Sequence, residues 1–128
     1  MSDERTRRGV ENVRRALAAL ERSVETPVTE PRDLSGIVKD FELLYELSWK
    51  TLKKVLESEG HETGTAREVY RVAYQTGFLT DEAGWLEMID DRNRTVQTYD
   101  EAFAAQLAAR IRERYVPLFR ALGERLSR

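Results

Sequence analysis

Apolar positions along this chain repeat with a helical period, and nowhere do they alternate in the two-residue rhythm of a strand. In "RRGVENVRRALAALERSVE", Val10, Val13, Leu17, Leu20 and Val24 recur at steps of three and four, one apolar stripe with arginines and glutamates opposite. The segment "TPVTEPRD" follows, and its Pro27 and Pro31 each restrict their own backbone and that of the preceding residue, which predicts a connecting loop. From about Ser35 the period resumes. Ile37, Phe41, Leu44, Ser48, Leu52 and Val55 trace one face, Leu43, Tyr45 and Leu47 widen it, and Gly60 is placed to end the helix as a left-handed cap. So broad a band predicts a central helix with several neighbours, and the most buried element of the fold.

The second half continues in the same style. "TAREVYRVAYQTG" opens with a capping box, Thr65 with Glu68, and closes at Gly77, giving a short third helix. In the fourth, Thr80 is the expected cap, Asp81 and Glu82 suit the positive end of the helix dipole, and Trp85, Leu86, Met88 and Ile89 form the apolar side to about Arg94. The β-branched pair Thr95 and Val96, then a second possible capping box of Thr98 with Glu101, predict a break near 96–98. The last helix buries Phe103, Leu107, Ile111, Tyr115, Leu118, Leu122 and Leu126, with a kink expected at Pro117. The fold class expected is all-α: an up-and-down bundle of the four-helix type with an additional short helix.

Composition narrows the chemistry. At 128 residues, one domain spanning 1–128 is expected. Lys and Arg number 21 against 23 Asp and Glu, so no global basic field exists to wrap nucleic acid, although local contact with RNA stays open. Cysteine is absent, which removes disulfides, thiolate metal sites and cysteine nucleophiles together. No apolar run approaches the roughly 18 residues that span a bilayer, and "MSDERTRRGVE" lacks a signal peptide's apolar stretch, so no membrane association and a cytoplasmic location are expected. The only histidine, His61, follows a helix end, where an imidazole more often meets the last carbonyls than a metal; no metal and no cofactor are predicted. Tyr45, Trp49, Tyr70, Tyr74 and Trp85 are read as bundle packing before a base-stacking pocket. The arginines near both ends are read as solvated faces rather than an RNA-binding rim.

One stretch, "DDRNRTVQTYDE", gathers arginine, asparagine, glutamine and tyrosine around the predicted break. Arg92 and Tyr99 are seven residues apart, nearly two turns, and share a face even on an unbroken helix. Arginine offers a planar donor fork suited to phosphate, asparagine a neutral donor and acceptor, and tyrosine an aromatic surface or a modifiable hydroxyl. A group titrating near neutral pH is missing, since Gln97 cannot shuttle protons. The competing interpretation is a solvated helix end in which Asp90, Asp91, Arg92 and Arg94 pair with one another.

The combination of "FELLYELSWKTLKKVLESEG", "AREVYRVAYQTGFLTDEAGWLEMIDDRN" and "TYDEAFAAQLAARIRERY" resembles the HEPN superfamily, in particular its nucleotidyltransferase substrate-binding subunits and the related HepT toxins. The likeness covers about Phe41 to Tyr115. It implies a helical bundle that forms a homodimer and pairs with a small minimal nucleotidyltransferase, in a two-gene, toxin–antitoxin-like module. In the ribonuclease branch the motif is Arg-Asn, three variable residues, His, one variable residue and Tyr, and two copies face each other across the dimer to cut RNA without metal. Carried over, Arg92 and Asn93 match the opening pair and Tyr99 matches the tyrosine that the partner enzyme adenylylates. The histidine position holds Gln97, which puts cleavage in doubt while leaving binding by Arg92, Asn93, Arg94 and Tyr99 intact. Three functions follow: a binding subunit with a nucleotide or RNA-phosphate cleft at its dimer interface, a ribonuclease using Arg92, Asn93 and Gln97 and neutralised at Tyr99, or a non-catalytic dimerisation adaptor.

Overall fold

The computed structural model describes residues 3–97 and 100–128, apart from the side chains of 96 and 97. Six α-helices account for most of it: α1 (Glu4–Glu25), α2 (Pro31–Ser58), α3 (Ala66–Gln75), α4 (Glu82–Gln97), α5 (Glu101–Arg110) and α6 (Val116–Leu126). A π-helical turn, Ile111–Tyr115, joins the last two into one rod. The expected all-α fold is therefore found, and no helix among the described residues is long and apolar enough to cross a membrane.

Each start and stop has a local cause. Asp3 accepts the Thr6 amide at 2.7 Å and caps α1. The second helix begins four residues earlier than the pattern suggested. Pro31 breaks nothing because it occupies the first turn, where its missing N–H has no partner to lose, and Asp33 reaches back to the Glu30 amide at 3.0 Å. Gly60 and Gly77 take φ of 92° and 88°, the left-handed geometry that ends α2 and α3. Thr65 accepts the Glu68 amide as expected, while the Glu68 carboxylate goes to Gly64 rather than to Thr65. The cap of α4 is Asp81, not Thr80: Asp81 stands at φ 61° and accepts the Gly84 amide at 3.0 Å. Asp100 caps α5 through the Ala102 amide at 2.8 Å. Helix α4 runs on to Gln97 instead of stopping at Arg94. The alternative cap Thr98 lies outside the described residues.

The disturbance expected at Pro117 takes the form of the π turn just before it, where the Val116 amide donates to the Ile111 carbonyl across five residues. The apolar spacing explains it. Phe103, Leu107, Ile111 and Tyr115 follow one another at strict steps of four, which drift by about 40° per step around an ordinary α-helix. A widened turn absorbs the drift, and all four stay buried.

Helix α2 is central, touching α1, α3, α4 and α5. It supplies nine buried residues, yet the proportion is higher in α6, five of eleven against nine of 28, so α2 is not the most buried element. Length explains this, because its outer face has to meet water. Leu43 lies on that face, 54% exposed, contrary to the pattern, whereas Val38, Thr51 and Leu56 are inside. Gly9 lets α1 approach: a Cβ there would lie 2.7 Å from the Thr51 hydroxyl. Leu126 ends only partly buried.

Five aromatic rings close on themselves through the core. Phe41 meets Tyr45, Tyr45 meets Tyr70 at 5.6 Å, Tyr70 stacks on Trp85 at 4.8 Å, Trp85 meets Phe119 edge-on at 5.4 Å, and Phe119 returns to Phe41. Tyr45, Tyr70 and Trp85 are thus packing residues as expected. Tyr74 is exposed and Trp49 half-buried.

Burial pushes the Tyr45 hydroxyl up to about 12 from the usual 10, although Arg92 beside it pulls the other way. A raised folded-state value means stability that is complete below 10 and is lost as pH climbs through 12. The unfolding free energy from urea titrations across that alkaline window is expected to fall in the native chain, and to fall by about 2 kcal/mol less in Tyr45→Phe.

Candidate functional site

The last three turns of α4 are bound into the bundle one residue at a time. Arg92 leans from α4 across to α2, where its Nη2 donates to Glu46 Oε1 at 2.9 Å and its guanidinium lies 5.6 Å from the centre of the Tyr45 ring. The side chain is 20% exposed, and Nε is buried without a hydrogen-bond partner among the described residues. Glu46 is itself fixed. Its Oε2 accepts from Trp49 Nε1 at 3.1 Å and lies 3.8 Å from Lys50 Nζ. One turn further along, Thr95 donates to Glu42 Oε2 at 2.7 Å, so two acids of α2 hold the facing side of α4.

Asp91, the neighbour of Arg92, points the opposite way and is buried. Both of its oxygens take the Arg110 fork, at 2.8 and 2.9 Å, and the Tyr115 hydroxyl donates to it as well. Burial, and after it this hydrogen bond, push the Tyr115 hydroxyl far above its ordinary range. The π turn carries Tyr115 to this position. The pairing thus runs between helices: Asp90 goes to Arg67 of α3 at 3.1 Å, Asp91 to α5, Arg92 to α2, and Arg94 lies 4.2 Å over the Phe103 ring. A helix end whose charges pair with one another is excluded for these four residues.

Residues 8–128 match the family described as nucleotidyltransferase substrate binding protein like. The chain belongs to that family. It is 34% identical to a Thermus thermophilus protein of known crystal structure, over 91% of this chain and 99% of that one, with a TM-score of 0.82. A Haemophilus influenzae protein, whose structure is described as revealing the fold of a substrate binding domain of a nucleotidyltransferase, superposes with a TM-score of 0.81 at 25% identity, over 93% and 99% of the two chains. The Haemophilus influenzae protein named "Probable ribonuclease HepT" is 31% identical over 83 residues, 61% of this chain and 57% of that protein. The resemblance read from the sequence to substrate-binding subunits and HepT-like proteins holds.

In this family member, Arg92 and Asn93 sit side by side on α4, Arg92 half-buried against α2 and Asn93 exposed. Arg94 is exposed on the side of α5. Gln97 closes α4, but its side chain, and all of Tyr99, lie outside the described residues. His61 is exposed, and its backbone amide donates to the Leu56 carbonyl. Several of the arginines near the two ends are engaged within the bundle: Arg7 with Glu4 one turn away, and, between helices, Arg114 with Glu87, Arg120 with Glu21, and Arg112 with the Val24 carbonyl. A groove of about 490 Å³ opens between α1 and α6, lined by Arg14, Leu17, Glu21 and Arg120 among others, and neither Arg92 nor Asn93 reaches it. Glu46, Tyr45, Asp91 and Arg110 went unrecognised as parts of the site. A signal for two of the acids around it existed: "FELLYELSW" sets Glu42 and Glu46 one turn apart inside the most apolar stretch, where acids call for partners on another helix.

Proposed function

We propose that this chain is the binding subunit of a two-protein nucleotidyltransferase module, in which the whole bundle acts as one domain and as a homodimer. Arg92 and Asn93 present the phosphate of a nucleotide or an RNA to a shared cleft, and the transfer chemistry belongs to the partner enzyme. The observation that carries this reading is Arg92 itself. Its guanidinium is pre-set on Tyr45 and Glu46, so less side-chain freedom is lost when a phosphate docks, and the neutral amide of Asn93 is exposed beside it. The chain co-expressed with a minimal nucleotidyltransferase of the same source is expected to co-purify with it. Arg92→Ala should weaken binding of adenosine 5′-monophosphate at least tenfold while leaving that complex and the helical signal unchanged. Absence of any complex by light scattering sinks the reading.

The 31% identity to a protein named as a ribonuclease favours a second reading. There Arg92 activates the scissile phosphate, Asn93 and Gln97 orient it, and Tyr99 is the adenylylation site by which the partner silences the protein. Such cleavage needs a proton acceptor for the attacking ribose hydroxyl, and Gln97 is not one. RNA incubated in chelator with native protein, Arg92→Ala and Gln97→His separates the two readings. Cutting by native protein that Arg92→Ala loses supports the ribonuclease; cutting by Gln97→His alone supports the binding subunit.

A further inference from the structure

We infer that Glu46 is a specificity-determining residue of the Arg92 site, selecting phosphate groups that carry one negative charge over those that carry two. The inference rests on the reading of Arg92 as a phosphate holder and narrows the ligand that reading leaves open. Glu46 is no drifting surface side chain, because Trp49, Lys50 and Arg92 hold it from three sides. A ligand oxygen that reaches the Arg92 guanidinium therefore arrives beside a carboxylate anchored independently of Arg92.

The surrounding charges nearly cancel. Arg92, Lys50 and Arg67 stand against Glu46, Glu42 and Asp90 on this side of α4, while Arg94 lies over Phe103 on the other, so no surplus positive charge offsets the carboxylate beside the guanidinium. A phosphodiester, as in an RNA backbone or a nucleotidyl linkage, brings a single charge to face Glu46. The phosphate of a free nucleotide, close to doubly charged above its second pKa near 6, meets the same carboxylate with twice the repulsion. At about 6 Å in water, each ligand charge facing Glu46 weakens binding by about threefold, so a dianion loses roughly tenfold where a monoanion loses about threefold.

The test uses two probes at about pH 8: adenosine 5′-monophosphate, and the dinucleotide adenylyl-adenosine, whose only phosphate is a diester. Binding is followed through the arginine Nε–Hε resonances of the ¹⁵N-labelled full chain. Glu46→Gln keeps the side-chain shape and one of the two acceptor oxygens, which go separately to Trp49 and Arg92. It is expected to tighten the monophosphate about tenfold and the dinucleotide about threefold, so that their affinity ratio moves about threefold. Glu57→Gln, three turns along α2, removes the same charge at a distance and is expected to leave that ratio unchanged. Equal tightening of both probes overturns the inference, since Glu46 then merely occupies Arg92. No change, or weaker binding of both, overturns it too, leaving Glu46 as a brace. In all these cases the Arg92 reading survives; if Arg92→Ala leaves both affinities intact, the site reading falls and this inference with it.

Discussion

Asp91→Ala is expected to destabilise the bundle by about 3 kcal/mol, seen as a lower urea midpoint at unchanged slope. The loss does not come from a cavity. Asp91 accepts both arms of the Arg110 fork and the Tyr115 hydroxyl, and its removal leaves a half-buried cation and a buried donor with nothing to meet. Asp91→Asn, which keeps acceptor oxygen but not charge, should lose about half as much. Removing Arg110 as well should recover part of the loss, with a coupling of about 2 kcal/mol in the double-mutant cycle. A loss below about 1 kcal/mol would class the pair with ordinary surface ion pairs and deny it any part in fixing the α4 turn that carries Arg92.

Trp85→Ala carries the largest expected effect, about 4 kcal/mol, because it opens a gap between two aromatic neighbours. Trp85 is 2% exposed, stacked on Tyr70 and edge-on to Phe119, and these rings belong to α3 and α6, which hold α4 from two sides. Against a total stability of about 5–15 kcal/mol, such a loss brings the chain near its unfolding threshold. Near-UV circular dichroism should fade before the far-UV helical signal, since local helix needs no aromatic packing. A milder Trp85→Phe, about 1.5 kcal/mol, keeps a ring in place and should preserve both. If Trp85→Ala loses less than that, neighbouring side chains have collapsed into the space.

The helices were legible because each is a one-dimensional pattern: the stripe Val13, Leu20, Val24 of α1, the Thr65 cap and the glycines 60 and 77 all act within a few residues of themselves. Pro31 misled because proline has two meanings, breaker in a helix interior and starter in its first turn, and only the backbone distinguishes them. Asp81 displaced Thr80 for a similar reason, since either side chain can cap and a single left-handed φ decides. Leu43 falls on an inward stripe only because that stripe is wide, and the pattern does not say how much of a long helix its neighbours can cover. At the candidate site, the adjacency of Arg92 and Asn93 was readable. Their supports were not, since Glu46 is 46 residues from Arg92 along the chain and Arg110 is 19 from Asp91. Such pairings are properties of the packed helices.

The two tryptophans divide the molecule's optical signal between its two concerns. Trp85, sealed among rings, emits from an apolar environment and will shift to the red only when the core opens. Trp49 is half-buried at the edge of the core and its indole N–H donates to Glu46, so a change at that carboxylate is expected to alter its emission. In a Trp85→Phe background the chain becomes its own unlabelled indicator: one remaining tryptophan, joined to the guanidinium of Arg92 through the carboxylate of Glu46.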